Sequence, residues 1–406
     1  MNDHSNNGAA RDHSPGALKV LHVSPSYAPA WGYGGATEAI YQFTRHVALA
    51  GAHVKVLTTD TAGRGRRLSA EERRQFERDV RLDVRYCARV GGESVSPELL
   101  GCLRKSVAWA DVVHLHAAFS FPTIPTLLAA RLLARPVVWT LHGAMQHWMQ
   151  SRRVGAKRAW ERVCRAAAPA KLVLHATSDD EAEQALERFG DATAVVIPIG
   201  VETPAQIERS RRDGVLRLGF IGRLDPKKGI ENLLDACGRL SERQSVPFSL
   251  AVAGAGDSNY EQMLRARTVA LGIDRRVKFL GDIRGDLKEQ FFRNTDVAIV
   301  PSFTENFGIV VSEALARAVP VIASTGTPWE HVEQRNCGLW VRNDAQSLAN
   351  AVERMSGLAL DQMGERGRRW MIEEFAWPDC ARKLIACYRA LLGHHDMFDF
   401  ETGAAS

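Results

Sequence analysis

Two short apolar runs, Val297–Pro301 and Pro320–Ala323, enclose a polar loop and a short helical stretch, which leaves this part of the chain little choice of fold. Continuous apolar runs are the mark of strands covered on both faces. The loop, Ser302–Phe307, carries Glu305, and a helix opening near Gly308 carries Glu313. Strand, loop, helix and strand in such close succession form a unit of a parallel sheet, with the loop at the carboxyl end of a strand, where open α/β sheets bind ligands. The opening helix turns free N–H groups and its positive dipole end toward the loop, which suits phosphate. Eight helical residues rise about 12 Å. The two carboxylates can therefore reach opposite ends of an extended ligand.

The same alternation runs through the whole chain. In the first half, strands are expected at Leu18–Ser24, His53–Thr58, Asp111–His116, Pro136–Leu141, Lys171–Ala176 and Thr193–Pro198. Helices are expected at Ala36–Ala50, Phe121–Leu133, around 156–167 and at Asp179–Phe189, with an arginine-rich excursion over roughly 60–95. The second half restarts the pattern with strands Leu216–Ile221, Phe248–Ala253 and Val277–Leu280 and helices Ile230–Arg239, Tyr260–Leu271 and Leu287–Arg293. A last helix, Trp377–Leu392, has apolar residues at helical spacing. At 406 residues one core is not enough, so two doubly wound Rossmann-like domains are expected, facing across a cleft. Their expected bounds are 17–200 and 201–376, after a disordered tail 1–16.

Composition excludes several classes. No run approaches 18 uninterrupted apolar residues and the first sixteen lack an apolar signal core, so a cytoplasmic protein is expected. The seven cysteines contain no C-x-x-C pair and read as reduced, small hydrophobes. His114 and His116 point the same way on a strand, but no third ligand is legible near them, and no metal is expected. The first 200 residues hold 25 basic and 19 acidic side chains, the remainder 27 and 28. The excess gathers at Arg64–Arg67 and at Arg152, Arg153, Lys157, Arg158, Arg162 and Arg165, interleaved with Trp148, Met149, Val154 and Trp160. Such a run is either a solvated helix face or a surface for anionic lipid at the inner membrane face. No nucleic-acid recognition motif is present.

Glutamates eight apart recur at Glu365 and Glu373 without a strand end nearby, so context carries the signal. In the context Pro-Ser-x-x-Glu-Asn-Phe-Gly, the segment resembles the E-x7-E motif of the retaining glycosyltransferases of family 4, which have the GT-B fold. The resemblance covers about 17–392 and is strongest from 215 to 335. Gly222-Arg-Leu-Asp-Pro-Lys-Lys-Gly229 is similar to the family's G-R-x-x-x-x-K-G pattern, which implies that Arg223 and Lys228 hold a donor diphosphate, with Lys227 as substitute. It further implies that Glu313 takes ribose hydroxyls, that Glu305 takes a hydroxyl of the transferred sugar, and that Asn306, Phe307, Gly308 and Ile309 line sugar and phosphates. Gly254 and Gly256 end a strand and let a ligand approach the backbone closely, and the resemblance implies that the loop holding Ile283 meets the nucleobase. In the first half, the resemblance implies that Gly34-Gly35, ahead of a helix, lines the cleft and that His142 of Thr140-Leu-His-Gly stands beside the donor sugar. His116 and Trp329 are weaker acceptor contacts; Trp329 either stacks on a sugar or packs.

Departures from the family pattern lie at Thr325-Gly-Thr-Pro-Trp-Glu330, where a Gly-Gly is common, and at Pro198-Ile-Gly-Val, where Pro-Asn-Gly-Val is common. No D-x-D triplet occurs and two cations can stand in for a divalent ion, so metal-independent transfer without cofactor is expected. The activity implied is retaining transfer of a hexose from a nucleotide-diphosphate sugar to a hydroxyl of a glycan or lipid-linked glycan in surface polysaccharide synthesis. The alternative is a nucleotide-sugar epimerase of the same fold. A dinucleotide-dependent oxidoreductase is disfavoured because no G-x-G-x-x-G follows either first strand.

Overall fold

A computed structural model describes residues 17–63, 65–77, 82–145, 154–205 and 214–393. The expected tail, Arg64, Trp148, Met149, Arg152 and Arg153 lie outside the described residues. Thirteen strands occur among the described residues: β1 (Lys19–Val23), β2 (His53–Thr59), β3 (Leu82–Cys87), β4 (Val112–His116), β5 (Val137–Thr140), β6 (Leu172–Ala176), β7 (Thr193–Val196), β8 (Leu216–Ile221), β9 (Phe248–Ala253), β10 (Val277–Gly281), β11 (Val297–Val300), β12 (Val321–Ser324) and β13 (Gly338–Val341). They form two all-parallel sheets, ordered β3-β2-β1-β4-β5-β6-β7 and β10-β9-β8-β11-β12-β13. The strand order reverses beside β1 in the first sheet and beside β8 in the second, and the crevices at such switch points are where doubly wound folds bind ligands. This is the GT-B architecture: two Rossmann-like units facing each other.

The central strands are buried on both faces, as β4 and β11 are throughout. The edge strand β3 is different. Its residues LDVRYC alternate buried and exposed, with Asp83 and Arg85 on the open face. That alternation hid it in the arginine-rich excursion, where a strand and the helix Ala70–Glu77 stand instead of irregular chain. The helix Pro97–Trp109, capped by the Ser96 side chain, and the final units β13, Ala345–Ser356 and Leu360–Glu374 were also not foreseen. Elsewhere expected and observed bounds agree to within a few residues.

Two chain segments pass side by side between the sheets. After β7 the linker bridges in parallel from Val201 to Ala376, and the Val201 amide donates to the Phe375 carbonyl at 2.8 Å. The helix Trp377–Leu392 then packs on the helix Gly35–Leu49 of the first half. The Trp377 indole stacks on His46 at 5.4 Å and meets Phe43 edge-on at 5.1 Å. A Cβ on Gly200 would stand 2.4 Å from the Trp377 ring, so the linker glycine is a packing requirement. None of the helices among the described residues is long and apolar enough to cross a membrane.

The basic helix, Val154–Ala167, leaves Arg158, Arg162 and Arg165 exposed together with Val163. Trp160 is not part of that face: its indole N–H is tied back to the Ala118 carbonyl at 2.9 Å. Among the described part of the other basic run, Arg66 pairs with Glu72 and the Arg67 guanidinium donates to the Arg89 carbonyl, so these cations close their own loop.

Candidate functional site

The strand ends of the two sheets enclose one continuous cleft, made of adjoining cavities of about 520 and 370 Å³. Gly34, Gly35, Arg223 and Ile309 line both cavities and so form its waist. Glu313, Ile283 and Gly254 line one end; Glu305, Lys228, His142, Asn306, Phe307 and Gly308 line the other. Residues from six separate sequence segments are thereby gathered at one place.

The glutamates are already charge-matched. Lys228 Nζ donates to Glu305 Oε1 at 2.5 Å, and the Ser302 hydroxyl donates to the same oxygen at 2.6 Å. At the far end Lys288 Nζ donates to Glu313 Oε1 at 2.5 Å. Charge-assisted contacts of this kind are strong where water is limited. Lys288 was not singled out from the sequence, because it lies in an ordinary amphipathic helix, Asp286–Arg293, with no motif around it. Glu38 was also missed. It faces Lys288 and Glu313 from the helix Gly35–Leu49, and burial raises its carboxyl above the usual range. On the waist, Arg223 donates to the Tyr33 carbonyl at 3.3 Å, joining the two halves across the cleft.

The Glu305 loop is held from behind. Its amide donates to Gly326 O at 2.8 Å, and a Cβ on Gly326 would meet the Phe303 carbonyl at 2.3 Å. Trp329 therefore does not stack on a sugar: it is 2% exposed, donates its indole N–H to the Phe307 carbonyl, and packs among Phe307, Trp370 and Phe375. Gly308, at a φ of 76°, then opens the helix Ile309–Ala316, whose first residues Ile309 and Val310 line both cavities. Gly254 lines the cleft, but its own constraint is packing, since a Cβ there would stand 1.8 Å from Gly222 O. Gly256 is exposed, lines neither cavity and bridges Leu224, whose carbonyl a Cβ would meet at 2.0 Å. Neither glycine needs a ligand to explain it.

Asn306 crosses to the first half, donating through its side chain to Thr177 at 3.0 Å, while its carbonyl accepts from Ser178. His142 sits opposite, at a φ of 51° that is rare for a side chain with a Cβ. Its loop is pinned by Glu181, whose carboxylate accepts from the Gly143 amide at 2.6 Å and the Thr177 amide at 2.7 Å. Glu181 is buried at the start of the helix Asp179–Arg188, and only the fold reveals its task. A non-glycine residue held off its preferred backbone by a dedicated carboxylate is the pattern of a functional position.

Behind His142 the sheet register assembles further histidines. His22 of β1 stands opposite His114 of β4, His116 opposite Thr140 of β5, and Thr140 opposite His175 of β6. His116 is thus fully buried and reaches no acceptor; it contacts His142 instead. The third neighbour of His114 and His116 that the sequence did not show is His22, and the three place ligand atoms within 4.8 Å of one another. Their nitrogens, His22 Nε2 apart, are nonetheless committed to hydrogen bonds. His175 Nε2 faces the Ile197 carbonyl at 2.9 Å and must donate to it. Its Nδ1 therefore accepts from the Thr140 hydroxyl, whose oxygen accepts from His114 Nε2–H, leaving His114 Nδ1 to accept from the Tyr388 hydroxyl. Burial holds His22 and His142 down at about 3 and His175 at about 4, and keeps His114 and His116 well below the usual histidine range.

Residues 33–204 match the family model described as Glycosyltransferase Family 4, and residues 204–370 match that of Glycosyl transferases group 1. An uncharacterized glycosyltransferase of Methanocaldococcus jannaschii is 32% identical over 42% of this chain and 44% of its own length. That alignment spans less than half of the relative. A D-inositol 3-phosphate glycosyltransferase of Stackebrandtia nassauensis is 28% identical over 92% of this chain and 90% of its own. Anabaena HepE, solved in complex with UDP and glucose, superposes with a TM-score of 0.72 at 18% identity, covering 92% of this chain and all of that one; at that identity the likeness concerns the fold. Both sequence relatives are named as glycosyltransferases, which lends the epimerase alternative no support.

Proposed function

The chain belongs to glycosyltransferase family 4, and from that premise we propose that it moves a hexose, with retention and without a metal ion, from a nucleotide-diphosphate sugar to a hydroxyl acceptor. The observation that carries the reading is the order of groups along the cleft. Glu313 and Ile283 stand at one end, Arg223 and the Gly34-Gly35 turn at the waist, and Lys228, Glu305 and His142 at the other. A nucleoside fits the first, a diphosphate the second and a sugar the third.

Each group then has a task that its surroundings suit. Glu313 accepts from ribose hydroxyls, displacing Lys288, and Glu305 accepts from a sugar hydroxyl. Arg223 and Lys228 stabilise the charge that grows on the leaving diphosphate, a preorganised electrostatic role. The acceptor oxygen attacks the anomeric carbon on the face the diphosphate leaves. The carbon–phosphate-oxygen bond breaks through an oxocarbenium-like state, and the hydroxyl proton passes to a phosphate oxygen. Glu305 is then a positioning carboxylate rather than a nucleophile. His142, neutral at every physiological pH, offers one ring nitrogen to the sugar.

The acceptor proposed is a polyhydroxylated one, a glycan or lipid-linked glycan of surface polysaccharide synthesis. The relative acting on an inositol phosphate speaks for a ring bearing several hydroxyls. The exposed Arg158, Arg162 and Arg165 give the first half a face for anionic lipid. Calorimetric titration with UDP, GDP, ADP and their sugar conjugates, chelator present, tests the reading. Selective binding of one nucleoside diphosphate is expected; binding of none, or only with added metal, overturns it.

A further inference from the structure

His22 and His116 are fully buried and line neither cavity, yet they form a straight chain to His142. His22 Nδ1 faces His116 Nε2 at 2.9 Å, and His116 Nδ1 faces His142 Nε2 at 3.1 Å. The ring centroids of these pairs are 5.2 and 5.4 Å apart, with interplanar angles of 13° and 27°. Those separations are near the greatest that such nitrogen contacts allow, so the nitrogens point at each other along the line of centres. Metal ligands converge on a point beside that line; in-line nitrogens share a proton.

Each contact needs one proton, and each neutral ring carries one. Only two arrangements meet that condition. In the first, all three rings are protonated at Nδ1, and His142 turns an N–H donor to the cleft. In the second, all three are protonated at Nε2, and His142 turns a lone pair to the cleft. A mixed state leaves one contact with two protons or none. The difference falls at the far end, where His22 Nε2 is buried without a hydrogen-bond partner among the described residues. The first arrangement leaves a lone pair there and the second an N–H, and an orphaned buried N–H is the rarer and costlier state.

We propose that His22 and His116 are positioning residues that lock His142 in its Nδ1–H form, so that it presents a hydrogen-bond donor to the sugar end of the cleft. The functional part rests on the reading of that end as a sugar site; the tautomer does not. A donor there suits an electronegative hydroxyl or ring oxygen of the transferred sugar. The stacking of His114 on His116, centroids 4.3 Å apart, keeps the chain in line.

The test is a long-range ¹H–¹⁵N spectrum of protein labelled at histidine nitrogens, at neutral pH without substrate, with His142 identified by its loss in His142→Asn. The expected result is a protonated Nδ1 and bare Nε2 at His142, with His116 and His22 alike. A protonated Nε2, or a rapidly exchanging mixture, overturns the proposal. A second arm uses the nucleoside diphosphate and sugar conjugate chosen by titration. His116→Leu should lower turnover about ten-fold while leaving nucleoside diphosphate affinity within about two-fold. His116→Asn, whose amide reaches the Nδ1 position, should recover most of that loss. Equal turnover in His116→Leu and the unaltered protein, or no recovery in His116→Asn, also overturns it. Because the spectrum needs no ligand, its failure and a failed titration are separate results.

Discussion

The two sheets bring polar side chains to the same cleft in opposite ways. Beneath the first sheet's strand ends stand His22, His114, His116 and His175, all buried, all uncharged and, His22 Nε2 apart, all hydrogen-bonded to protein. At the second sheet's strand ends stand Lys228–Glu305 and Lys288–Glu313, charged and partly open to the cleft. The first arrangement removes charge, because an ion deep in a sheet is too costly. The second keeps charge in pairs that ligand hydroxyls and phosphates can re-divide. One half is thus built to hold a shape and the other to exchange partners.

The largest expected effect breaks the histidine side of this comparison with acid. These four rings have folded pKa values lowered below the unfolded value of about 6.5. The unfolded chain therefore binds more protons between the two values. Stability is complete above about pH 6.5 and falls toward pH 4, by about 1.4 kcal/mol per ring and pH unit. Denaturant melts at successive pH values should show that steep loss. A flat profile between pH 7 and 5 would mean that the rings are not held neutral.

Removing a carboxylate from the charged side has the next effect. Glu305→Ala should reduce turnover about 100-fold or more while the affinity for nucleoside diphosphate stays within about three-fold. Binding weakened about ten-fold would place Glu305 at the nucleotide instead. The smallest effect sharpens the division between cations and carboxylates. Lys228→Ala should weaken nucleoside diphosphate binding about ten-fold, or about 1.4 kcal/mol. Unchanged affinity in the titration would remove Lys228 from the diphosphate site.

Where the sequence was legible, the signal was local. Apolar runs such as Val297–Val300 marked central strands, and Gly222-Arg223 to Lys228 or Glu305 to Gly308 are contiguous segments at strand ends. Where it was not, either an edge strand like β3 mixed charge with apolar residues, or the residue carried no motif. Lys288 and Glu38 look like any charged residues on helix faces until the sheets are set against each other. Trp329 shows the converse. An aromatic beside a binding loop suggests stacking, and only packing against Phe307, Trp370 and Phe375 shows that it braces the loop from within.

By itself the sequence determined two doubly wound units, the strand ends that carry the polar loops, and, of the second half's share of the cleft, Arg223, Lys228, Glu305 and Glu313 but not Lys288, because periodicity and short motifs act over a few residues. The tertiary structure alone decided the histidine chains and the cross-cleft contacts. His22 meets His116 across 94 residues, and Tyr388 meets His114 across 274. Such partners are chosen by strand register and by the return of the last helix, and a proton's place on a ring depends on which atom stands 3 Å away.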